Sequence, residues 1–145
     1  MFSPDEYLAK TLIDEQILTP ALLEEFLKQS DLSDELLFDR ILQSGIVTEN
    51  KLVTLLIARL GTQPVDPADF KIEKKVLGAI PKPIIVNYQV IPIARLGHTL
   101  VLAMTNPADI LTIDHINALT GFRVQPVLSS AKDIEKAVTA FYSED

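Results

Sequence analysis

The sequence predicts an α+β protein in which a four-helix unit of two repeated helical hairpins precedes a small ββαβα unit. Two observations lead to this prediction. Positions in the first half recur in residue type 29 residues later, which indicates a repeated structural unit. Near Gly61, a stretch dense in Leu and acidic residues gives way to one rich in Pro and β-branched residues. We therefore expect a helical repeat unit over residues 1–61 and a small α/β sandwich over residues 62–145.

Each copy of the repeat is predicted to contain the end of one helix, a turn and the start of a new helix at a threonine, Thr19 or Thr48. A threonine hydroxyl at this position accepts a hydrogen bond from a free backbone amide, and Pro20 suits the first helical position. Gly45 stands where a helix ends in a left-handed residue. Ser3 has an acidic residue three positions later and indicates the start of the first helix. The matched pairs are Leu12 and Ile41, Ile13 and Leu42, Ile17 and Ile46, Leu18 and Val47, Thr19 and Thr48, Leu23 and Leu52, Phe26 and Leu55, and Leu27 and Leu56.

The second half begins with segments that prolines divide. We expect an extended segment at 64–70 and a short helix near 72–79. Pro81 and Pro83 prevent a continuous helix at the following residues, 80–83.

A hairpin and two helices complete the second unit. The hairpin strands are expected at 90–95 and 99–104, where Pro92 indicates an edge strand or a bulge. A helix capped by Asp109 and ended by Gly121 then leads to a third strand. That strand covers 123–128, and Ser130 opens a final helix whose apolar stripe suits packing on a sheet: Ile134, Ala137, Val138 and Phe141.

Composition and charge exclude several classes of protein. The 48% hydrophobic content is enough to build a core, and the net charge of −7 argues against a surface for nucleic acid. The first half holds 11 acidic and 5 basic residues, and the second holds 9 and 8, so the acidity is concentrated in the helical unit. The chain has no Cys, which excludes disulfides and thiol catalysis, and it has no apolar run long enough for membrane insertion. A cytoplasmic location is expected.

No catalytic, metal or cofactor site is expected from the residues. A P-loop needs Gly followed by Lys and then Ser or Thr, and none of the five glycines is followed by Lys. His98 and His115 are the only imidazoles, too few for a zinc site without further ligands. Ser44 and Ser130 sit at helix boundaries, where hydroxyls serve as caps. The chain is therefore expected not to be an enzyme.

A set of short segments carries a resemblance to a known family. In order they are Leu60-Gly61, Pro64-Val65-Asp66, Ile80-Pro81, Val90-Ile91-Pro92, Leu100-Val101-Leu102-Ala103-Met104 with Asn106-Pro107, and Leu119-Thr120-Gly121. After a repeated helical hairpin, this order resembles the N-terminal domain of type II secretion and type IV pilus assembly ATPases.

The resemblance implies a non-enzymatic adaptor that docks the motor to the cytoplasmic part of an inner-membrane platform protein. The ATPase modules would then act in cis or in trans, and the domain would lie at the inner membrane only through its partners. Four acidic residues near the junction between the repeats are candidates for meeting a basic partner patch: Asp31, Asp34, Glu35 and Asp39. A third interpretation is a structural domain that shares the fold without the role.

Some members of that family bind cyclic di-GMP through tandem helical motifs, and the repeat falls on this motif. The implied ligand residues are Leu12, Ile13, Ile17, Leu18, Ile41, Leu42, Gly45, Ile46 and Val47. The polar and glycine positions differ: Tyr7, Ala9, Gln16 and Ser30 in the first copy, and Leu36, Phe38 and Arg59 in the second. Without the opening Arg there is no bidentate phosphate contact from that position, so the sequence favours the adaptor over a cyclic di-GMP sensor.

Overall fold

The computed structural model describes residues 1–33 and 35–142. Four helices come first, and a sheet with further helices follows, which confirms the α+β class and the four-helix first unit. The helices are α1 (Pro4–Asp14), α2 (Pro20–Ser33), α3 (Leu37–Ser44), α4 (Glu49–Leu60), α5 (Lys74–Leu77), α6 (Lys82–Tyr88), α7 (Ile110–Thr120) and α8 (Ala131–Phe141). The strands are β1 (Val90–Leu96), β2 (Thr99–Met104) and β3 (Arg123–Leu128), and a 3-10 turn covers Pro67–Asp69.

Side-chain hydrogen bonds cap the first turns of the helices at the residues that the sequence predicts. The hydroxyls of Ser3, Thr19 and Thr48 each accept a hydrogen bond from the backbone amide three residues later, at 3.2 Å in all three cases. Asp109 caps α7 and Ser130 caps α8 in the same way. Such a cap contributes about 1 kcal/mol to helix stability by satisfying an amide that lacks a helical partner.

In the proline-rich start of the second half, the structure differs from the prediction for residues 80–83. The helix α6 begins at Lys82, inside the segment 80–83 in which we expected no continuous helix. Pro83 occupies the first helical turn, where a missing N–H breaks no helical hydrogen bond, so it permits a helix that starts there. The segment 64–70, expected to be extended, contains the 3-10 turn, which Asp66 caps by accepting from the Ala68 amide at 3.0 Å.

The sheet has the order β1-β2-β3, antiparallel between β1 and β2 and parallel between β2 and β3. Val90 pairs with Met104 and Leu96 with Thr99, and the register shifts between Pro92 and Ala94. The prediction of a bulge or an edge at Pro92 is confirmed in both respects, because β1 is also an edge strand.

The sheet separates two apolar layers. All six residues of β2 are buried. Because side chains along a strand alternate between faces, Val101 and Ala103 join a core with α1–α4 and α8, whereas Leu100 and Leu102 join a core with α5, α6 and α7. Each fully buried Leu or Ile contributes roughly 1.5–3 kcal/mol. The helical repeats and the sheet therefore share one core, and the division into units 1–61 and 62–145 stays a prediction.

A polar contact fixes the hairpin turn against the first turn of α4. The Glu49 carboxylate accepts from the His98 amide at 2.8 Å and from the Thr99 hydroxyl at 2.5 Å. Gly97 lies beneath this carboxylate with φ of +65°, and a Cβ there would lie 2.2 Å from Glu49 Oε1. The turn thus favours glycine for its backbone conformation, and a Cβ at this position would displace the end of the Glu49 side chain.

Gly97→Ala should lower the free energy of unfolding by about 3 kcal/mol, because it combines left-handed strain with loss of the Glu49 contacts. The matched control is Gly121→Ala, where φ is +77° and no atom lies within 4 Å of the new Cβ. Strain alone should then cost about 1–2 kcal/mol. Urea unfolding of both variants measures the difference, and equal losses would show that Glu49 does not constrain the turn.

Candidate functional site

A cleft of about 690 Å³ opens between the helical repeats and the beginning of the second half. One side, the helical wall, consists of residues of α1, α2 and the segment 35–38. The opposite side, the lysine wall, consists of residues 71–76 and residues 93–95 of β1. The apolar lining includes Ala9, Ile13, Leu23, Leu27, Leu36, Phe38, Val76 and Ile93. Charged side chains also line the cleft, and a concave surface that combines apolar and polar groups is typical of a ligand or peptide site.

A backbone bridge holds the two walls together at one end. The Phe2 amide donates to the Asp69 carbonyl at 2.7 Å, and the Lys71 amide donates to the Phe2 carbonyl at 2.8 Å. The Phe2 and Phe70 rings meet edge to face with centroids 5.3 Å apart, and the Arg59 guanidinium lies 4.9 Å from the Phe2 centroid. The start of α1 is therefore fixed against residues 69–71.

Two carboxyl groups from opposite walls meet in this cleft. Asp5 on α1 and Glu73 before α5 both line it. Burial, followed by the neighbouring charge of Glu73, raises the pKa of Asp5 to about 7. A carboxyl group of the helical wall can thus hold a proton near neutral pH.

The two walls differ in charge. The helical wall places Asp5, Glu6, Asp31 and Glu35 on the cleft with a single ammonium group, that of Lys10. The lysine wall supplies four cationic side chains against one carboxylate: Lys71, Lys74, Lys75 and Arg95 face the cleft with Glu73. The cleft is therefore acidic on one side and basic on the other.

A smaller cavity of about 480 Å³ lies beside the hairpin turn and is lined by Asp39, Glu49 and Arg95 among others. Arg95 Nη2 lies 3.0 Å from Asp39 Oδ2, and both side chains are largely buried. Burial raises the pKa of Asp39, and the Arg95 guanidinium acts against that shift. This ion pair joins α3 to β1.

The acidic residues predicted to face a partner have different environments. Asp31 is exposed at the edge of the cleft. Glu35 lies 3.1 Å from Arg40 in an ion pair, and Asp39 is held by Arg95. Asp34 lies outside the described residues. Within the described part of the set, Asp31 is the carboxylate most accessible to a partner.

Residues 60–145 match the family model of the MshEN domain, which is more than half of the chain. The chain belongs to the MshEN domain family. This confirms the resemblance to the N-terminal domains of secretion and pilus ATPases.

The chain is also similar to individual proteins. The MshEN domain is 25% identical over 137 residues to the type IV pilus assembly ATPase PilB of Myxococcus xanthus, a match that covers 94% of this chain and 24% of PilB. The chain thus spans about a quarter of the length of that relative. A solved structure of MshE with cdg shares the fold, with a TM-score of 0.51 and 22% identity over 93% of this chain and 98% of that one. The N-terminal domain of XpsE gives a TM-score of 0.48 at 18% identity, covering 98% of this chain and 99% of that one.

The aliphatic residues implied in cyclic di-GMP binding are divided between core and surface. Leu12, Leu18, Ile41 and Val47 are buried in the core that the helices share with the sheet. The half-buried members are Ile13, Ile17, Leu42 and Ile46, and Gly45 is exposed. Ile13 lines the cleft and Leu42 lines the smaller cavity, so neither cavity gathers the set as a whole.

Four of the seven motif positions that differ from the family lie together on the cleft. Ala9, Ser30, Leu36 and Phe38 all line it. Phe38 is 1% exposed and fills space where the motif has glycine, and the Ser30 hydroxyl donates to the Glu35 carbonyl. Tyr7 and Arg59, which replace the opening Arg and the closing Gln, instead contact each other, with the guanidinium 5.8 Å from the ring centroid.

The middle position of the motif keeps its backbone shape in both copies. Gly45 ends α3 with φ of +81°, and Gln16, 29 residues earlier, has φ of +62°. The residues around the two turns match in burial as well, with Leu12 and Ile41 at 0% exposure. Gln16 therefore occupies a left-handed conformation that costs an L-residue roughly 1–2 kcal/mol.

Sequence reasoning missed the lysine wall and the Asp5–Glu73 pair. The two carboxyl groups are 68 positions apart in the chain, and Glu73 lies in a segment with weak helical periodicity. The signal available was the run of Lys71, Lys74 and Lys75 in a chain that is otherwise acidic. A local cluster of basic residues in an otherwise acidic chain indicates a surface with a separate function.

Within residues 1–33 and 35–142, no three His, Asp or Glu side chains gather in a way that could hold a metal ion. Among the helices of that same part of the chain, none is both long and apolar enough to span a membrane.

Gln16→Gly should raise the free energy of unfolding by about 1 kcal/mol, because glycine adopts φ of +62° without steric strain. Gly45→Gln makes the reciprocal change in the second copy and should lower it by a similar amount. Urea unfolding of the two variants and the wild type provides the measurement. Destabilisation by Gln16→Gly would mean that the side chain of Gln16 makes a stabilising contact.

Proposed function

We propose that this MshEN domain is a non-enzymatic adaptor that docks a pilus or secretion motor ATPase to the cytoplasmic part of an inner-membrane platform protein. Family membership and the match to PilB over 94% of this chain support a place in such machinery. The ATPase modules act in cis or in trans, and the domain is cytoplasmic and reaches the membrane through its partners.

The observation that carries this proposal is an exposed apolar and acidic surface on the last two turns of α2. Leu32 is 89% exposed and Leu27 is 41% exposed, with the exposed Asp31 between them in sequence. We call these three residues the α2 patch. Exposed leucines beside a carboxylate fit a partner that is apolar and basic.

Charge supports the same partner chemistry. The 11 acidic and 5 basic residues of the first half give this unit a net charge of −6. A basic segment on the platform protein would be attracted to the helical unit before contact and oriented toward it. The leucines would then supply the apolar contact area.

Combining Leu32→Ser with Asp31→Lys should weaken binding to the cytoplasmic part of the platform protein from the same organism by at least about tenfold, or roughly 1.4 kcal/mol. The control combines Leu111→Ser with Asp114→Lys on α7, where Leu111 is 83% exposed. It makes the same chemical changes on a different helix and should bind like the wild type. Titration calorimetry measures the affinities, and circular dichroism confirms that both variants are folded.

Two results would contradict the proposal at different levels. Absence of binding by the folded wild-type domain would overturn the adaptor role. Wild-type affinity in the α2 variant would keep the role but exclude the α2 patch as the docking surface.

The second candidate is a cyclic di-GMP sensor, and one observation favours it. Ser30, at the closing position of the first copy, and Leu36, at the opening position of the second, line the cleft together with Lys71, Lys74 and Lys75, whose ammonium groups suit phosphate. MshE, which shares the fold, has been solved with this ligand. Against the sensor, Phe38 and Leu36 fill positions where the motif has Gly and Arg, and both are nearly inaccessible.

Titration of the domain with cyclic di-GMP should give no saturable heat up to roughly 1 mM, with GTP at the same ionic strength as the control ligand. Selective saturable binding would reverse the ranking of the two candidates. In that case Lys74→Glu should abolish binding if the cleft is the site. Lys132→Glu, which reverses an exposed charge on α8, should leave binding unchanged.

A further inference from the structure

The helix α7 carries apolar residues on both of its sides. On the side toward the sheet, Ile116 is part of the core shared with α5 and α6, and Ile113 packs against that core. On the opposite side lie six exposed residues, of which four are apolar. These six residues, which we call the α7 face, are Ile110, Leu111, Asp114, His115, Ala118 and Leu119. Leu111 is 83% exposed. Because a helix that is apolar all round is normally covered all round, the α7 face has the composition of a contact surface.

Repulsion between two copies of this acidic chain is weakest on the side of α7. Residues 1–61 hold 11 acidic and 5 basic residues, whereas residues 62–145 hold 9 and 8. The helix α7 packs on the face of the sheet opposite α1–α4. Two copies that meet through α7 therefore keep their acidic helical units apart. At physiological salt, exposed charges separated by more than about 8 Å are largely screened from each other.

The order of residues along the α7 face determines how two such helices can pair. Leu111 and Ala118 lie on one line along the helix, because seven residues make nearly two turns. Around the helix axis, Asp114 lies about 60° to one side of Leu111, and His115 lies about 40° to the other side. The centre of the face is thus apolar, with a carboxylate on one flank and an imidazole on the other flank at nearly the same height.

Charge distinguishes between the two ways of pairing this face with a second copy. In a parallel pair related by a twofold axis along the helices, each flank faces the opposite flank of the other copy, so Asp114 meets His115 on both sides. In an antiparallel pair, each flank faces its own counterpart, and the two Asp114 carboxylates oppose each other. Like charges at such close positions are destabilising, so the parallel pair is favoured.

The imidazole of His115 is held in place by its own chain. The hydroxyl of Tyr88 on α6 is hydrogen-bonded to Nδ1 of His115. The two rings also meet edge to face, with centroids 5.4 Å apart. Since Nδ1 is engaged, Nε2 is the ring atom that can bond a carboxylate of another copy. Ordering of the ring before contact lowers the entropy that such a bond costs.

We propose that the domain self-associates through the α7 face as a parallel twofold dimer. Leu111 and Ala118 form the centre of this contact, where the small side chain of Ala118 permits close approach of the two backbones. Two contacts between Asp114 and His115 form its flanks. A helix of 11 residues is only about 16 Å long, so the interface belongs to the small, transient class, with a dissociation constant on the order of 10⁻⁴ M.

The dimer leaves the α2 patch accessible, because α2 packs in the layer on the other face of the sheet. A pair of domains thus presents two α2 patches. Under the proposed adaptor role, on which this consequence rests, the pair binds platform proteins bivalently and holds them more tightly than one domain does.

Sedimentation equilibrium of the domain alone, from about 10 µM to about 1 mM, measures the self-association. The wild type should be mostly monomeric at the lower concentration and mostly dimeric at the higher one. Asp114→Lys and His115→Glu should each raise the dissociation constant about tenfold, because each replaces two favourable flank contacts by repulsion. The combined variant should recover wild-type affinity to within about threefold, because in the parallel pair each introduced lysine faces an introduced glutamate.

The apolar centre is tested by a matched pair of variants. Leu111→Ser combined with Asp114→Lys should remain monomeric at about 1 mM. Leu32→Ser combined with Asp31→Lys makes the same chemical changes on α2 and should dimerise like the wild type. The two variants have the reverse roles in the platform titration, which at about 10 µM follows mostly monomeric domain. Failure of the dimer and failure of the adaptor role are therefore separate results.

Three results would contradict the proposal. A folded wild-type domain that stays monomeric at about 1 mM would overturn self-association. A dimer that persists in the α7 variant would place the contact on another surface. Continued weakness of the combined charge variant would exclude the parallel arrangement.

Discussion

The central strand β2 is the constraint on which the rest of the structure depends. It is hydrogen-bonded on both edges and buried on both faces, so it can be stable only when apolar layers cover both sides of the sheet. The helical repeats supply one of these layers, together with α8. A repeated pair of helical hairpins, whose apolar faces would otherwise remain exposed, thus becomes half of a shared core. The cleft lies where this covering layer ends.

Helices, turns and strands whose sequence signals are local could be predicted from the sequence. The threonine caps, the hairpin around Gly97, the bulge at Pro92 and the helix from Asp109 to Gly121 all depend on residues within a few positions of one another. Sequence reasoning misses the helix α6 because it treats Pro83 as a helix breaker. At the first turn of a helix, the same residue is favourable, and only its position relative to the helix start distinguishes the two cases.

The candidate site was less accessible to sequence reasoning for a physical reason. Its walls come from segments about 65 positions apart, brought together by the bridge between Phe2 and Phe70. Neither hydrophobic periodicity nor a short sequence motif indicates a contact between segments so far apart in the chain. The repeat indicates a set of aliphatic positions, but those positions serve the core as readily as a ligand, and Leu12 and Ile41 are fully buried. Gln16 shows the converse: its residue type differs from the glycine of the motif, whereas its backbone keeps the left-handed shape of Gly45.

The contact between Glu49 and the hairpin turn has a mechanical consequence. Glu49 begins α4 and bonds the turn between β1 and β2, while Asp39 of α3 holds Arg95 of β1. A load applied to the helical unit is therefore passed to the sheet through two polar contacts and a shared core, and the connecting segment 61–66 is bypassed. In a domain coupled to a motor, such stiffness would let displacement of one half move the other as a lever, with little lost to bending.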